Sequence, residues 1–356
     1  MPSPDGAAHC PRRRGFGSIL PAILLCALPA RAASASDPAE LPEVRVLVQH
    51  VDVVPPSWSP DDRFVVVHTD PWGENKIDPW GQNKIAIVNV KSGAVEATID
   101  AGPSAHRPAW SPLSQWISLV AIASADSPGA VLLAEQDEQG SWNVAEVLRA
   151  QALPHDRPWG PSGERFLYQG EHKLFVVEAR TRTARKLLVD FDFYPAGLRW
   201  SADGQSIVAA YKGGVVTIDS DDGSITQLST RTLKSPLLGP GGALWALEHL
   251  GTMRSDARNR LVRYLDGTWT DYEFASSVTS FDVHPRSGLV VVGVEGMGLY
   301  LIDTSSGARR SLTSDRSDAA PSWSPSGPQV AFVRGYRDLA VLHTPEHSRT
   351  EMRHRP

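Results

Sequence analysis

One short segment recurs along the chain, and it constrains the fold more than any other feature. Its clearest copies place a tryptophan before a Ser-Pro turn, at residues 56–62, 108–112 and 321–327. A fourth copy begins at Trp200, a weaker one spans residues 158–163, and two copies lack the tryptophan. Aligned on the tryptophan position, the copies lie at 58, 110, 159, 200, 238, 283 and 323. A period near 40 to 45 residues, with turns and short strands, is typical of a β-propeller blade.

The chemistry of each copy predicts a strand, a tight turn and a second strand. Proline presets φ, Asp or Ser bonds to its own backbone, and glycine tolerates a positive φ. Runs of β-branched or aromatic residues follow the turn, as at residues 64–68 and 206–210, and they are typical of strands. Hairpins containing Gly93, Gly223 and Gly307 then join predicted third and fourth strands.

We therefore predict an all-β fold: a seven-bladed β-propeller of four-stranded antiparallel blades, spanning residues 43–345. The chain after Thr344 is too polar to give the last blade a good fourth strand. Residues 43–48 alternate as a strand should, yet they precede the first blade. We expect this N-terminal strand to complete the last blade and close the ring. The alternative is six blades, with the copy at 238 or 283 absorbed into a neighbour.

The Trp-Ser-Pro-Asp/Ser-Gly segments resemble the WD40-like (PD40-type) repeats of the periplasmic TolB family. The resemblance covers about residues 43 to 345 and implies the fold, because these residues build blades and do not identify a ligand. TolB proteins place an α/β domain before the propeller. We expect the propeller alone here, since residues 1–42 leave no room for such a domain.

The N-terminus has the pattern of a signal peptide, which we assign to residues 1–35. Arg12, Arg13 and Arg14 precede an apolar run at 19–30 and small residues that suit cleavage. Residues 36–42 are predicted to be a linker and residues 346–356 a disordered tail. We expect a periplasmic or secreted protein without a membrane span in the mature chain, exported by the Sec or the twin-arginine route.

Cleavage changes the charge and the cysteine content of the chain. Both cysteines lie in the leader, so the mature chain can occupy an oxidising compartment without disulfides. The leader has four Arg and one Asp, so its removal takes the formal net charge from -5 to -8. That charge argues against nucleic acid or an anionic membrane surface as the main partner.

A duplicated octapeptide is the first candidate binding site. Residues 70–77 repeat as residues 78–85 with one change, Glu to Gln, and they lengthen the loop between the second and third strands of the first blade. As a binding loop it would present Trp72 and Trp80. The alternative is a slipped duplication tolerated at a surface loop.

A second group of candidates precedes two of the tryptophan motifs on the same face. His106 and Arg107 stand before one motif, and His155, Asp156 and Arg157 before the next. These residues could bind an anion or ligate a metal if the two connections converge. The alternative is a pair of ordinary polar connections next to proline. Because the sequence contains no recognised metal or catalytic motif, we predict no catalytic residue, metal or cofactor.

Two classes of function remain open. The first is an exported binding or scaffold propeller that docks a protein, peptide or glycan of the cell envelope on its loop face. The second is a small propeller enzyme, such as a metal-dependent lactonase or a lyase, with its site at the channel mouth. The lack of a clear acid–base or metal cluster favours the first class. The sequence leaves the oligomeric state open.

Overall fold

The computed structural model describes residues 41–69, 84–102, 105–113, 115–121, 129–149, 157–170, 173–188, 193–251 and 258–344. The predicted leader and tail lie outside these ranges, as does nearly all of the linker. The described residues form 27 β-strands and a short 3-10 turn at Pro240–Gly242. Nowhere in them is there a helix long and apolar enough to cross a bilayer.

The strands follow one another around a ring, and each blade is an antiparallel meander. The N-terminal strand is β1 (Val44–Gln49). Blade 1 contains β2 (Ser57–Trp58), β3 (Phe64–Thr69), β4 (Lys84–Asn89) and β5 (Val95–Ile99). Blade 2 contains β6 (Ala105–Trp110), β7 (Trp116–Ala121), β8 (Ala130–Gln136) and β9 (Trp142–Arg149). Blade 3 contains β10 (Arg165–Gly170), β11 (Lys173–Glu178) and β12 (Thr183–Leu188), and its inner strand is reduced to a bridge between Trp159 and Phe166.

The remaining blades repeat the same order from the channel outward. Blade 4 contains β13 (Phe193–Trp200), β14 (Ser206–Tyr211), β15 (Gly214–Asp219) and β16 (Ile225–Ser229). Blade 5 contains β17 (Leu233–Leu238), β18 (Leu244–Leu250), β19 (Arg258–Leu265) and β20 (Thr268–Tyr272). Blade 6 contains β21 (Val278–Val283), β22 (Leu289–Val294), β23 (Gly298–Asp303) and β24 (Arg309–Ser311). Blade 7 contains β25 (Ala319–Trp323), β26 (Gln329–Arg334) and β27 (Asp338–His343).

The ring is closed by the N-terminal strand. Strand β1 pairs antiparallel with β27, with Val44 opposite Leu342 and Val46 opposite Ala340, so the two ends of the propeller share one sheet. The prediction of seven blades closed in this way is confirmed, and the six-bladed alternative is wrong. The copies at 238 and 283 each end the inner strand of a full blade, β17 and β21.

The hydrophobic core is divided into seven clusters, one between each pair of neighbouring blades. Each cluster contains buried side chains from two consecutive sheets, and the cluster that joins blade 7 to blade 1 includes Val51, Trp58 and Leu339. A blade therefore has no core of its own and buries its apolar faces only against its neighbours. This arrangement makes the stability of the whole ring depend on its closure.

The recurring tryptophans also connect the blades by hydrogen bonds. In four blades the indole Nε1–H donates to a carbonyl of the preceding blade at 2.8 to 3.1 Å. The acceptor is in each case the residue immediately before the tryptophan position. The pairs are Trp58 to Ser322, Trp159 to Ala109, Trp200 to Pro158 and Trp323 to Asp282. The tryptophan of the motif is thus a structural residue on both counts, packing and hydrogen bonding.

In blades 1, 4 and 6 the side chain of the residue after the tryptophan position accepts backbone hydrogen bonds from the tight turn and stabilises it. The backbone N–H of Phe64 donates to Ser59 Oγ at 2.9 Å, and that of Ser206 donates to Ser201 Oγ at 2.9 Å. In blade 6 a histidine takes this place, and His284 Nδ1 accepts two backbone N–H groups at 3.0 Å. We call the end of the ring that holds these turns the turn face. The opposite end, where the second and third strands connect, is the loop face.

Candidate functional site

A bulge recurs in the inner strands, three residues before the tryptophan position. Register shifts interrupt β6, β17 and β25 there. The residues at these bulges are Arg107, Ser235 and Ala320, with φ values of 50°, 50° and 52°. A bulge re-aims the side chain of a strand residue, and all three residues line one cavity in the central channel. The bulges therefore bring residues of several blades together at the loop face.

This cavity, which we call the mouth cavity, has a volume of about 350 Å³. The value lies at the lower end of the range of small-molecule sites. Its charged lining residues are Arg107, Arg157, Arg199, Arg316, Glu295 and Asp318. Four arginines thus face two acidic residues, although the whole chain has a formal net charge of -5. A local excess of positive charge in a cleft raises the concentration of anionic groups there.

Arg157 crosses the channel to blade 6. Its Nη1 donates to Asp282 Oδ1 at 2.6 Å and its Nη2 to Asp282 Oδ2 at 2.5 Å. The carboxylate is 1 % exposed and also accepts the backbone N–H groups of Val283 and Trp323. Such a bidentate, charge-assisted pair fixes the arginine in one orientation. Arg157 is therefore both a wall of the mouth cavity and a tie between opposite sides of the ring.

A second cavity lies at the turn-face end of the channel. Its volume is about 320 Å³, and Arg157 lines it as well, so the ion pair with Asp282 separates the two ends. The other lining residues are mostly tryptophans and prolines of the repeat, and the indoles are Trp58, Trp110, Trp159 and Trp323. The charged side chains of the channel are therefore concentrated at the loop face.

Asp318 is a buried carboxyl group on the wall of the mouth cavity. Within the described part of the chain neither of its oxygens has a hydrogen-bond partner. The closest cation is Arg334, whose Nε lies 3.7 Å from Oδ1. Burial raises the pKa of Asp318 to about 6, and the polar neighbours Thr313 and Arg334 offset only part of that effect. A carboxyl of this kind exchanges its proton near neutral pH, as general acids and bases do.

His106 lies beside the mouth cavity, next to Arg107, and contacts a histidine of blade 1. Its ring centroid is 4.6 Å from that of His68, and Asp52 completes a cluster with both. Burial lowers the pKa of His106, and the positive charge of Arg107 acts in the same direction. The described neighbours of His106 in this cluster come from blade 1, and residues 155 and 156, which the sequence offered as partners, lie outside the described residues.

The positions of the predicted site residues can be given for three of the seven. Arg107 and Arg157 line the mouth cavity together, and His106 belongs to the cluster with His68. The other four, which are Trp72, Trp80, His155 and Asp156, lie outside the described residues. Their roles remain predictions.

Sequence reasoning missed several residues of this region, among them Asp52, His68, Arg199, Arg316, Asp282 and Asp318. The last two stand one residue before the tryptophan position of blade 6 and five residues before that of blade 7. A comparison of the residues preceding each tryptophan position would have singled them out, because these segments line the channel. No local sequence pattern distinguishes His68 from the other residues of the predicted second strand in blade 1.

No protein-family model matches the chain, and no curated protein matches it in sequence. Its structure is similar to Kuenenia stuttgartiensis hydrazine synthase, with a TM-score of 0.61, 13 % identity, and coverage of 88 % of this chain and 99 % of that one. The β-propeller domain of Myceliophteria thermophila Cps50 (Swd1) matches with a TM-score of 0.60 and 10 % identity, and the match covers 85 % of this chain and 100 % of that one. Oligogalacturonate lyase from Vibrio parahaemolyticus matches with a TM-score of 0.61 and 10 % identity, and the match covers 86 % of this chain and 94 % of that one. These similarities establish the β-propeller fold of the chain and no activity.

Proposed function

We propose that the protein is an exported binding propeller of the cell envelope that docks a protein, peptide or glycan on its loop face. In this proposal an acidic group of the ligand, a carboxylate or phosphate, enters the mouth cavity. The leader pattern and the resemblance to TolB-like repeats support the location. The arginines of the mouth cavity support the chemistry of the ligand.

The single observation that carries the proposal is the convergence of Arg107, Arg157, Arg199 and Arg316 on one cavity, where Arg157 is already paired with Asp282 and the other three would contact the ligand. The first three come from consecutive blades, 2, 3 and 4. Arginine is the side chain best suited to recognise carboxylates and phosphates, because its planar fork donates two parallel hydrogen bonds. A ligand that spreads over the loop face can insert one acidic group into this cavity and bury it.

The experiment compares acidic ligands with neutral ligands of the same length. Purified protein is titrated with acidic and neutral oligosaccharides and with peptides containing Glu or Gln at the same positions. We expect binding of the acidic members only, weakening as salt rises. Arg199→Ala and Arg316→Ala should each weaken it roughly 10- to 100-fold, the loss typical of one charge-assisted hydrogen bond. Arg149→Ala, on the outer strand β9, is the matched control and should bind as the wild type does. Equal affinity for acidic and neutral ligands would contradict the proposal.

The same titrations test the predicted binding loop. Trp72→Ala and Trp80→Ala should reduce affinity by about 1 to 3 kcal/mol if the duplicated loop contributes exposed aromatic anchors. Unchanged affinity in the double variant would favour a slipped duplication instead. The loop and the arginines belong to different segments of the chain, so each set of variants is assessed separately.

A small propeller enzyme is the second candidate function, favoured by Asp318. This carboxyl has a pKa of about 6 and lies in the wall of the mouth cavity, among arginines that could stabilise a developing negative charge. A lyase or hydrolase assay on the ligands that bind, with Asp318→Asn as the variant, separates the two functions. Turnover that disappears in the variant supports the enzyme, whereas binding without turnover supports the binding propeller.

A further inference from the structure

Three side chains from two blades form a compact cluster on the loop-face side of the blade 1–blade 2 boundary. Asp52 follows β1, His68 stands near the end of β3, and His106 belongs to the inner strand β6. One oxygen or nitrogen atom from each residue lies within 4.8 Å of the others. The two imidazole planes are tilted by 56°. Residues so far apart in sequence meet here because neighbouring blades pack face to face.

His68 is buried without the partners that a buried imidazole normally has. The residue is 4 % exposed, and neither ring nitrogen has a hydrogen-bond partner within the described part of the chain. Its Nδ1 lies 3.7 Å from Asp52 Oδ2, beyond hydrogen-bonding distance. A buried polar group of this kind loses its hydrogen bonds to water on folding and forms none with the protein, which costs free energy. The ring of His68 therefore lies close to both other members of the cluster, with Nδ1 on the side of Asp52 and the ring in contact with that of His106.

The carboxylate of Asp52 has a fixed orientation, because its Oδ1 accepts the backbone N–H of Val53 at 2.8 Å. The other oxygen, Oδ2, lies 3.7 Å from His68 Nδ1. A carboxylate oxygen and two imidazole nitrogens are ligands that several divalent transition metals accept.

We propose that Asp52, His68 and His106 bind one divalent transition-metal ion, with Zn²⁺ as the best fit. Two nitrogen ligands and one oxygen ligand favour zinc over calcium or magnesium, which prefer all-oxygen sites. Tetrahedral zinc with bonds of about 2.0 to 2.1 Å separates its ligands by about 3.3 Å. The three side chains therefore have to close by rotation from their present spacing. Three protein ligands leave a fourth position for water or a ligand group.

The site adjoins the mouth cavity. Residues 53–55 and Arg107 follow Asp52 and His106 in the chain and line that cavity. A bound divalent ion would add positive charge at the edge of the cavity, and its fourth position could accept an anionic group. The inference itself rests on the cluster alone and does not depend on the proposed function.

The test is the metal content of the purified full chain, prepared without a histidine tag. Protein stripped with a chelator is equilibrated with Zn²⁺ and freed of excess ion by gel filtration. We expect about one equivalent of Zn²⁺ per chain and a melting temperature that rises with the free Zn²⁺ concentration, because the ion binds only the folded state. Titration with Co²⁺ should give an absorption band that reports mixed nitrogen and oxygen ligands.

Variants assign the ion to the cluster. Asp52→Ala, His68→Ala and His106→Ala should each weaken Zn²⁺ binding by at least roughly 10- to 100-fold. His249→Asn is the matched control, since His249 is an exposed histidine that pairs with Asn259, and it should bind as the wild type does. If His68→Ala fails to fold, the other two variants decide, because their side chains are partly exposed. A wild-type protein that binds no Zn²⁺, or variants that bind it equally well, would overturn the proposal and leave His68 as a buried core histidine.

Discussion

Arg157 of blade 3 and Asp282 of blade 6 form a bidentate ion pair across the central channel, with both hydrogen bonds at 2.5 to 2.6 Å. Arg157 Nη2 also lies 3.2 Å from Ser322 Oγ of blade 7. The contact joins blades that are not neighbours in the ring. It lies between a mouth cavity lined by charged residues and a tryptophan-lined cavity at the opposite end of the channel.

Breaking this pair should destabilise the ring. Arg157→Leu leaves the Asp282 carboxylate buried with only backbone donors, and a buried charge that loses its partner costs several kcal/mol. We expect the free energy of unfolding in urea to fall by about 2 to 4 kcal/mol. Arg149→Leu removes the exposed pair with Glu146 and should cost less than about 1 kcal/mol. If both variants lost the same free energy of unfolding, the cross-channel pair would contribute no more to stability than an exposed surface pair.

The closing strand should matter more than the other end of the chain. Deleting residues 36–49 removes β1, exposes the edge of β27 and uncovers part of the cluster between blades 7 and 1. We expect a large fall in the melting temperature, or loss of the folded protein. Deleting residues 346–356 removes none of the described strands and should leave the melting temperature unchanged. Equal melting temperatures for the two truncations would contradict this role of β1.

The indole hydrogen bonds between blades can be tested without removing the aromatic packing. Trp58→Phe keeps a ring but leaves the carbonyl of Ser322 buried without its donor. The expected cost is about 1 to 3 kcal/mol of unfolding free energy, part of it from lost packing. Trp142→Phe is the control, because no hydrogen bond of that indole is found among the described residues and its side chain is partly exposed. A larger effect at Trp142 than at Trp58 would refute this explanation.

The pH dependence of stability should reveal Asp318. Because its pKa in the folded protein is about 6 and its ordinary value is 3.8, the folded state binds more protons between these values. The free energy of unfolding therefore falls as pH rises from about 4 to about 6 and stays lower above that range. Asp318→Asn removes this penalty and should be more stable than the wild type at pH 8 by about 1 to 3 kcal/mol. The advantage should vanish near pH 4.

Asp315 lies in the same segment as Asp318, and we expect its carboxyl to change the stability of the protein with pH in the opposite direction. Hydrogen bonds from Ser317 lower the pKa of its carboxyl, so its contribution to stability is present at neutral pH and is lost as pH falls through the lowered value. Asp315→Asn should therefore be less stable than the wild type at pH 8, and the difference should shrink toward pH 3. Urea denaturation of both variants over this range provides the measurement. If both variants were less stable at pH 8, the assignment for Asp318 would be contradicted, and if both were more stable, the assignment for Asp315 would be.

Much of the fold follows from local patterns in the sequence. The Trp-Ser-Pro segments, the β-branched runs after them and the glycine hairpins predict strands and turns, because each needs only neighbouring residues to act. The spare strand at residues 43–48 and the missing fourth strand of blade 7 predict the closure by simple counting. The structure confirms the number of blades, their order and the pairing of β1 with β27.

The candidate site follows from the sequence only in part. The positions of His106, Arg107 and Arg157 on the loop face could be inferred from the alternation of strand directions. Their partners could not, because a pairing such as Arg157 with Asp282 joins residues 125 positions apart. That contact depends on the diameter of the closed ring and on where the bulges turn the inner strands. His68 and Asp318 depend on burial in the same way, since an isolated histidine or aspartate has no unusual chemistry until packing removes its water. The sequence by itself thus determined the repeating architecture, whereas only the tertiary structure decided which polar side chains share the channel and what environment they share.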